Sequence, residues 1–448
     1  MTQPNLFGGA AVRKLSPLVR STLSMTAMSI LLRLLGLYLN SRITGLIGAE
    51  GMGLLQLGMN VEALAVTLGS SGIHFSVTRL ISEELGLGRR EGIGGILRAG
   101  GSYALCFSGA AALLLFFFAP GAARFAGDIR LTLPLRCFAP GLPFLALGSV
   151  FSGYFTAVYR PWKTMVCQGA EQLAMVLLTL LLLPLVPRES PALCCAVIAL
   201  SASAAGGISL LLSYIMYRHD GIRSPGRPSL AGGLGRLMKL SLPLALSSYA
   251  RTALSTLQHL LVPKALQRGG STASAALAVY GTVSGMVFPV LSFASVFFTA
   301  LAEMLIPTLT KAQVQGDRSA MERTAGRILS ACLLFSSAVA ALLFFLGPAL
   351  GRLIFDSAEA GRYIRALSPL VIVMYMDSVV DGMLKGLGLH LSSMFINILD
   401  AGATLLAVSL LLPRYGVPAY LAILYLSECG NFLLSFIRLR RLITIKLL

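Results

Sequence analysis

The chain has 448 residues, 56% of them hydrophobic and only 12% charged, with a mean hydropathy of +0.80, whereas a soluble protein carries about 25% charged residues. With apolar runs of about 18 residues or more recurring throughout, this balance excludes an ordinary soluble enzyme and describes an all-α polytopic membrane protein; no alternating strand pattern suggests a β-barrel. The net charge of +18 does not point to nucleic acid, because the cations fall in short loops between apolar helices, where a positive-inside bias puts them.

Twelve spans are expected, near 18–43, 53–79, 97–118, 131–158, 164–186, 191–217, 237–263, 273–310, 326–347, 363–388, 392–412 and 417–438. The first apolar run starts late, carries Arg33 and lacks a small-residue cleavage site, so it reads as a span and not as a signal peptide. Residues 218–236 are polar, basic and rich in Pro and Gly, as a link between two lobes should be. The expected division is therefore a six-helix lobe over 1–217, a cytoplasmic linker over 218–236 and a second six-helix lobe over 237–448. With the N-terminus inside, 23 of the 36 Lys and Arg lie on the inner side, 10 on the outer side, and Arg33, Arg136 and Arg251 within spans. The bias places both termini in the cytoplasm.

The halves are copies of one unit. A shift of 229 residues lays Arg365 on Arg136, Pro369 on Pro140, Gly382 on Gly153, Asn397 on Gln168 and Asp400 on Glu171. Slightly upstream, a shift of 228 lays Pro348 on Pro120 and Asp356 on Asp128. Internal repetition of membrane spans is a transporter signature.

Polar groups inside the spans mark the candidate site, since a charge at the bilayer centre costs roughly 2.5–3.5 kcal/mol or more. Span 1 carries Thr26, Ser29, Arg33 and Asn40 as a polar stripe, and span 7 carries Ser247, Arg251, Ser255 and His259 at i+4 intervals. Glu62 lies in an apolar run of span 2, where an arginine across the lobe could pair with it. Span 4 holds Pro134, Pro140 and Pro143, which kink helices. In span 10, Asp377, Asp381 and Lys385 fall at i, i+4 and i+8, so they share one face, and Asn397, Asp400 and Thr404 share a face of span 11. These groups must point at each other or at water within the bundle. They serve either as a cation or proton site or as an internal salt-bridge network. Glu428 and Asn431 of span 12 read as a polar helix–helix contact.

No catalytic or cofactor signature accompanies them. GLGRREG (86–92) lacks the spacing and the GK[ST] ending of a phosphate loop, and HExxH and GxSxG are absent. The seven cysteines form no CxxC and the four histidines are scattered, so neither a metal nor any other cofactor is expected.

The run 41–88, SRITGLIGAEGMGLLQLGMNVEALAVTLGSSGIHFSVTRLISEELGLG, resembles the N-terminal signature of the stage V sporulation protein B family. SVFSGYFTAVYRPWKTMVCQGAEQL (149–173), KLSLPLAL (239–246) and YGTVSGMVFPVL (280–291) resemble its later motifs. That family belongs to the multidrug, oligosaccharidyl-lipid and polysaccharide exporter superfamily and is similar to the lipid II flippases, whose first span also has an arginine just before a Leu-Gly pair, as Arg33-Leu34-Leu35-Gly36 does here. The resemblance implies a V-shaped pair of six-helix lobes around a central cavity, alternating access, and a polyprenyl-pyrophosphate-linked sugar of peptidoglycan or polysaccharide synthesis as cargo, in sporulation or in cell-wall assembly. Two departures stand out. The family often has Arg where this chain has Ser152, and commonly has fourteen spans.

On this reading Arg33 and Arg251 bind the diphosphate, for which guanidinium is the fitting group. Asn40 and Gln168 meet sugar hydroxyls, and Glu62, Glu171, Asp377, Asp381, Lys385, Asn397 and Asp400 line the cavity or couple transport to Na⁺ or H⁺. The partners are then the lipid-linked substrate, the bilayer and a coupling ion, with no nucleic acid. The competing functions are a cation-coupled multidrug exporter, whose site should be aromatic and net acidic, and a non-transporting scaffold for envelope synthesis.

Overall fold

The computed structural model describes residues 17–88, 92–187, 190–220, 230–295 and 318–442. It is helical throughout these segments. In chain order they are α1 (Pro17–Ser70), α2 (Ile73–Gly86), α3 (Ile93–Ala126), α4 (Thr132–Phe138), α5 (Gly141–Ala157), α6 (Pro161–Leu182), α7 (Pro191–Arg218), α8 (Leu230–Arg268), α9 (Ala273–Gly281), α10 (Phe288–Leu291), α11 (Arg318–Phe355), α12 (Ala358–Leu367), α13 (Leu370–Gly386) and α14 (His390–Arg440). Among the described residues, seven helices are long and apolar enough to cross a membrane, and two bent pairs bring the number to nine. Two of the long helices hold two spans each, because α1 is interrupted at Gly48 and α14 at Gly416, both at positive φ. Dividing them there and counting α8, which carries the polar stripe of the seventh expected span, gives the twelve expected segments.

The repeat is visible in the backbone. A turn at 129–131 leads into α4, which bends by 41° into α5, and α12 bends by 55° into α13. Ile129, Phe138, Gly141 and Ala157 bound the first pair, and Ala358, Leu367, Leu370 and Gly386 bound the second, each 229 residues further on. Pro140 and Pro369 stand at the two bends, where each removes a backbone donor that would continue the helix. Side chains follow the same rule. The Arg136 guanidinium lies 5.3 Å from the centre of the Phe116 ring, and that of Arg365 lies 4.6 Å from the Phe344 ring.

Several boundaries differ from expectation. Helix α2 runs past the expected end of the second span to Gly86, and that span breaks at Gly72, whose φ of 78° L side chains rarely adopt. The linker is shorter than its composition suggests, since α8 begins at Leu230; residues 221–229 lie outside the described segments. Residues 296–310, the end of the expected eighth span, also lie outside them.

Helix α8 stitches the halves together. Tyr249 Oη donates to Leu68 O at 3.0 Å, Thr256 Oγ1 to Asn60 O at 3.0 Å and Ser241 Oγ to Ser76 Oγ at 2.8 Å. On its other side Gln258 Nε2 donates to Ala401 O of α14 at 3.0 Å. A second seam joins α1 to α9. There Gly53 and Gly281 pack so closely that a Cβ on Gly53 would lie 2.1 Å from Leu277 O, and one on Gly281 2.2 Å from Ala49 O. At the same end of the bundle Ser274 Oγ donates to Glu50, which also pairs with Arg130 at 2.7 Å.

Candidate functional site: a central cavity with two polar arms

Between the α1–α6 face and the α9–α10 face lies a cavity of about 560 Å³. Its wall on α1 is Arg33, Gly36, Asn40 and Gln56, α6 adds Gln172, and the break after α9 adds Ser284, Phe288 and Ser292. The opposing wall exists because residues 282–287 form a π-helical turn. Such a wide turn shifts the backbone register and often sits at functional positions. It turns Gly285 O toward Asn40 Nδ2, 3.4 Å away. Beyond it, Arg33 Nη1 donates to Ser292 O and, at 3.2 Å, to Ser295 Oγ. These contacts tie the first span to the eighth.

Among the described residues Arg33 has no ion-pair partner. Guanidinium offers five donors, and only Nη1 is engaged by the protein in the described segments.

A second cavity of about 430 Å³ opens within the first half. Gln168, Glu171 and Gln172 of α6 face Ser149 and Ser152 of α5 and Ser209 and Ser213 of α7. Gln172 lines both this cavity and the central one, so the two are neighbours. A third, also about 430 Å³, lies in the second half, with His259, Asp400, Thr404, Tyr420, Ser427 and Glu428 on its wall. Gln56, Ser284 and Phe288 separate it from the central cavity.

The acids of the second half are organised around Asp400. Ser427 Oγ donates to both its oxygens, at 3.1 and 2.9 Å. Asp377, Asp400 and Glu428 lie within electrostatic range of one another, and one Asp377 oxygen is buried without a hydrogen-bond partner in the described segments. Asp381 is drawn off by Lys385 at 2.6 Å and by Ser393 Oγ. Asn397 Nδ2 bonds Ser393 O at 2.9 Å, and Asn431 Nδ2 bonds Asn397 Oδ1 at 3.0 Å. Expectation left Glu428 as a mere helix contact, yet it stands on the cavity wall with Asp400. The partnership of spans 10, 11 and 12 that brings it there leaves no trace in sequence spacing.

Two expected positions turn out differently. Glu62 is not paired with an arginine in the described segments but lies within electrostatic range of Glu171. Arg251 is exposed on α8 and lines none of the three cavities, whereas His259, two turns on, bonds Tyr280 Oη at 3.1 Å. Tyr280, fully buried, also accepts from Asn60 Nδ2 at 3.1 Å. Asn60, Gln56 and Gln172 went unremarked in the sequence, because neutral amides in a span give no charge signal. Thr26 and Ser247 are not described at side-chain level.

Residues 18–313 match the family model described as "Polysaccharide biosynthesis protein". The chain is 25% identical over 399 residues to stage V sporulation protein B of Bacillus subtilis (strain 168), across 86% of this chain and 75% of that protein. In fold it is similar to a multidrug resistance MATE family transporter of the MOP superfamily. The inward-facing conformation of that transporter gives a TM-score of 0.72 at 14% identity, covering 94% of this chain and 98% of the other. A solved outward-facing conformation of a multidrug resistance MATE family transporter of the MOP superfamily gives 0.60 at 16% identity, covering 95% of each chain.

Proposed function

Because this chain belongs to the polysaccharide biosynthesis protein family and is a multi-pass membrane transporter, we propose that it flips a polyprenyl-pyrophosphate-linked sugar from the inner to the outer leaflet. The observation that carries the reading is Arg33. It is the only Arg or Lys on the wall of the three described cavities, it has no counter-ion in the described segments, and it projects guanidinium donors into a space of about 560 Å³. Bidentate N–H···O contacts suit the planar fork of guanidinium to a diphosphate. The amides of Asn40, Gln56 and Gln172 stand around it as partners for hydroxyls. The lipid tail stays in the bilayer while the headgroup crosses between the halves.

Charge bias puts the Glu50–Arg130–Ser274 end at the outer face and both termini in the cytoplasm. With that end sealed by the Gly53–Gly281 crossing, the conformation described is the one that receives cargo from inside. The acids around Asp400 are then the coupling site, holding a cation while the cargo moves. Asp381 and Lys385 act as an internal pair beside them. Arg251, which lines none of the three cavities, is left out of the diphosphate site in this reading.

Purified protein in liposomes with a fluorescent polyprenyl-pyrophosphate sugar tests this directly. An impermeant quencher reports the leaflet of the headgroup. Wild type should equilibrate the leaflets, and Arg33→Ala should slow exchange at least tenfold. If wild type does not differ from empty liposomes while a cationic drug is exported, the cargo assignment is wrong.

A further inference from the structure

Resting on the flippase reading, we infer that this transporter selects the charge of the sugar it carries: neutral or amine-bearing sugars pass, and acidic sugars are rejected at the arm of the cavity built by α5, α6 and α7. The observation is a distribution of charge. Arg33 supplies the one guanidinium, in the central cavity, where the diphosphate needs it. The arm that continues past Gln172 is wide enough for a sugar, at about 430 Å³, and among the described residues its single charged wall residue is Glu171. The rest of its polar wall is amide and hydroxyl, chiefly Gln168, Gln172, Ser149 and Ser213.

Two cations adjoin that arm in the chain, and both are committed elsewhere: Arg33, next to Leu32 of its wall, lines the central cavity, and Lys163, next to Thr164 of its wall, has its ammonium buried against Asp220 and donates to Met216 O at 3.1 Å. A sugar carboxylate entering the arm would leave water, meet no counter-ion and face Glu171. Ionised, Glu171 repels it; protonated, it still offers no positive charge, and an unpaired buried charge is costly in either case. A neutral sugar loses nothing, since its hydroxyls exchange water for amides and serines. An amine gains Glu171 as a partner. Asp400 and Glu428 keep the opposite arm acidic as well, so an acidic sugar finds no better place on that side.

Three probes with the same polyprenyl-pyrophosphate anchor separate the outcomes in liposomes: N-acetylglucosamine, glucosamine with its free amine, and glucuronic acid. The first two should cross at rates within about threefold of each other, and the uronate at least tenfold more slowly. Glu171→Gln should narrow the uronate gap. Ser152→Lys, which adds a cation to the same wall, should narrow it further, so a folding defect in one variant does not decide the outcome. If the uronate crosses as fast as N-acetylglucosamine in an Arg33-dependent manner, the selection is overturned and the flippase reading stands. If none of the probes crosses, the flippase reading fails and takes the selection with it.

Discussion

At the scale of single residues, the described segments hold both charges left without an ion-pair partner and charges that are neutralised. Asp220 shows the second kind. Its side chain is 1% exposed and holds both Lys163 and Arg160. Removing one member of a buried pair leaves an uncompensated charge and costs about 3–5 kcal/mol, whereas an apolar replacement of the whole pair is often neutral. Asp220→Ala should therefore lower the apparent melting temperature in detergent markedly. Asp220→Leu combined with Lys163→Met should recover most of the loss, and a double variant as unstable as the single one would contradict this account. Arg33 shows the first kind, tethered to backbone and hydroxyl so that its charge is not cancelled. Its presence near mid-span was legible from sequence, because a charge in hydrocarbon is costly unless it faces a cavity or a partner. Its contacts were not, because Ser292 and Ser295 lie some 260 residues away in the chain.

Among the elements, the α1–α9 crossing is the most sharply constrained. Gly53 and Gly281 meet backbone to backbone, and nothing larger fits without moving a helix. Small residues at helix crossings let membrane helices approach closely. Gly281→Val should pry α9 from α1 near Ala49 and raise hydrogen exchange at 44–57 and 273–281 while leaving α5 to α7 unchanged. Unaltered exchange at that seam would show that the contact does not hold the end shut. The proline bends of α4–α5 and α12–α13 were legible, since proline acts locally. The glycine crossing was not, for the sequence holds 46 glycines and only packing tells which two touch.

For the whole molecule, the proposed flipping needs a source of energy. The acids in the second half, Asp377, Asp400 and Glu428, have Lys385 as their near cation, and Asp381 takes it. A cation from solution fits that deficit. Flipping should accelerate when a Na⁺ or pH gradient is imposed across the liposome, and Asp400→Asn should remove that dependence while leaving slow passive equilibration. Rates indifferent to both gradients in wild type would sink the coupling role. The expected fold class rested on length, hydropathy and the 229-residue shift, each of which sums over many residues and so tolerates local error. Individual boundaries did not share that robustness: the second span broke at Gly72, and α8 reached into the linker.

The sequence alone determined that this is a helical membrane protein built from two similar halves, because hydropathy and repetition are written along the chain. It also marked Arg33, Asp377, Asp381 and Asp400, because charges in spans are conspicuous whatever they touch, and it carried the family resemblance. Only the tertiary structure decided which of them meet. It joined Glu428 to Asp400, set Glu62 beside Glu171, left Arg251 outside the cavities and aligned Gln172 between two of them. Spacing along one helix settles which residues share a face. Which face meets which neighbour depends on crossing angles and bends contributed by residues hundreds of positions apart, and no local pattern encodes those.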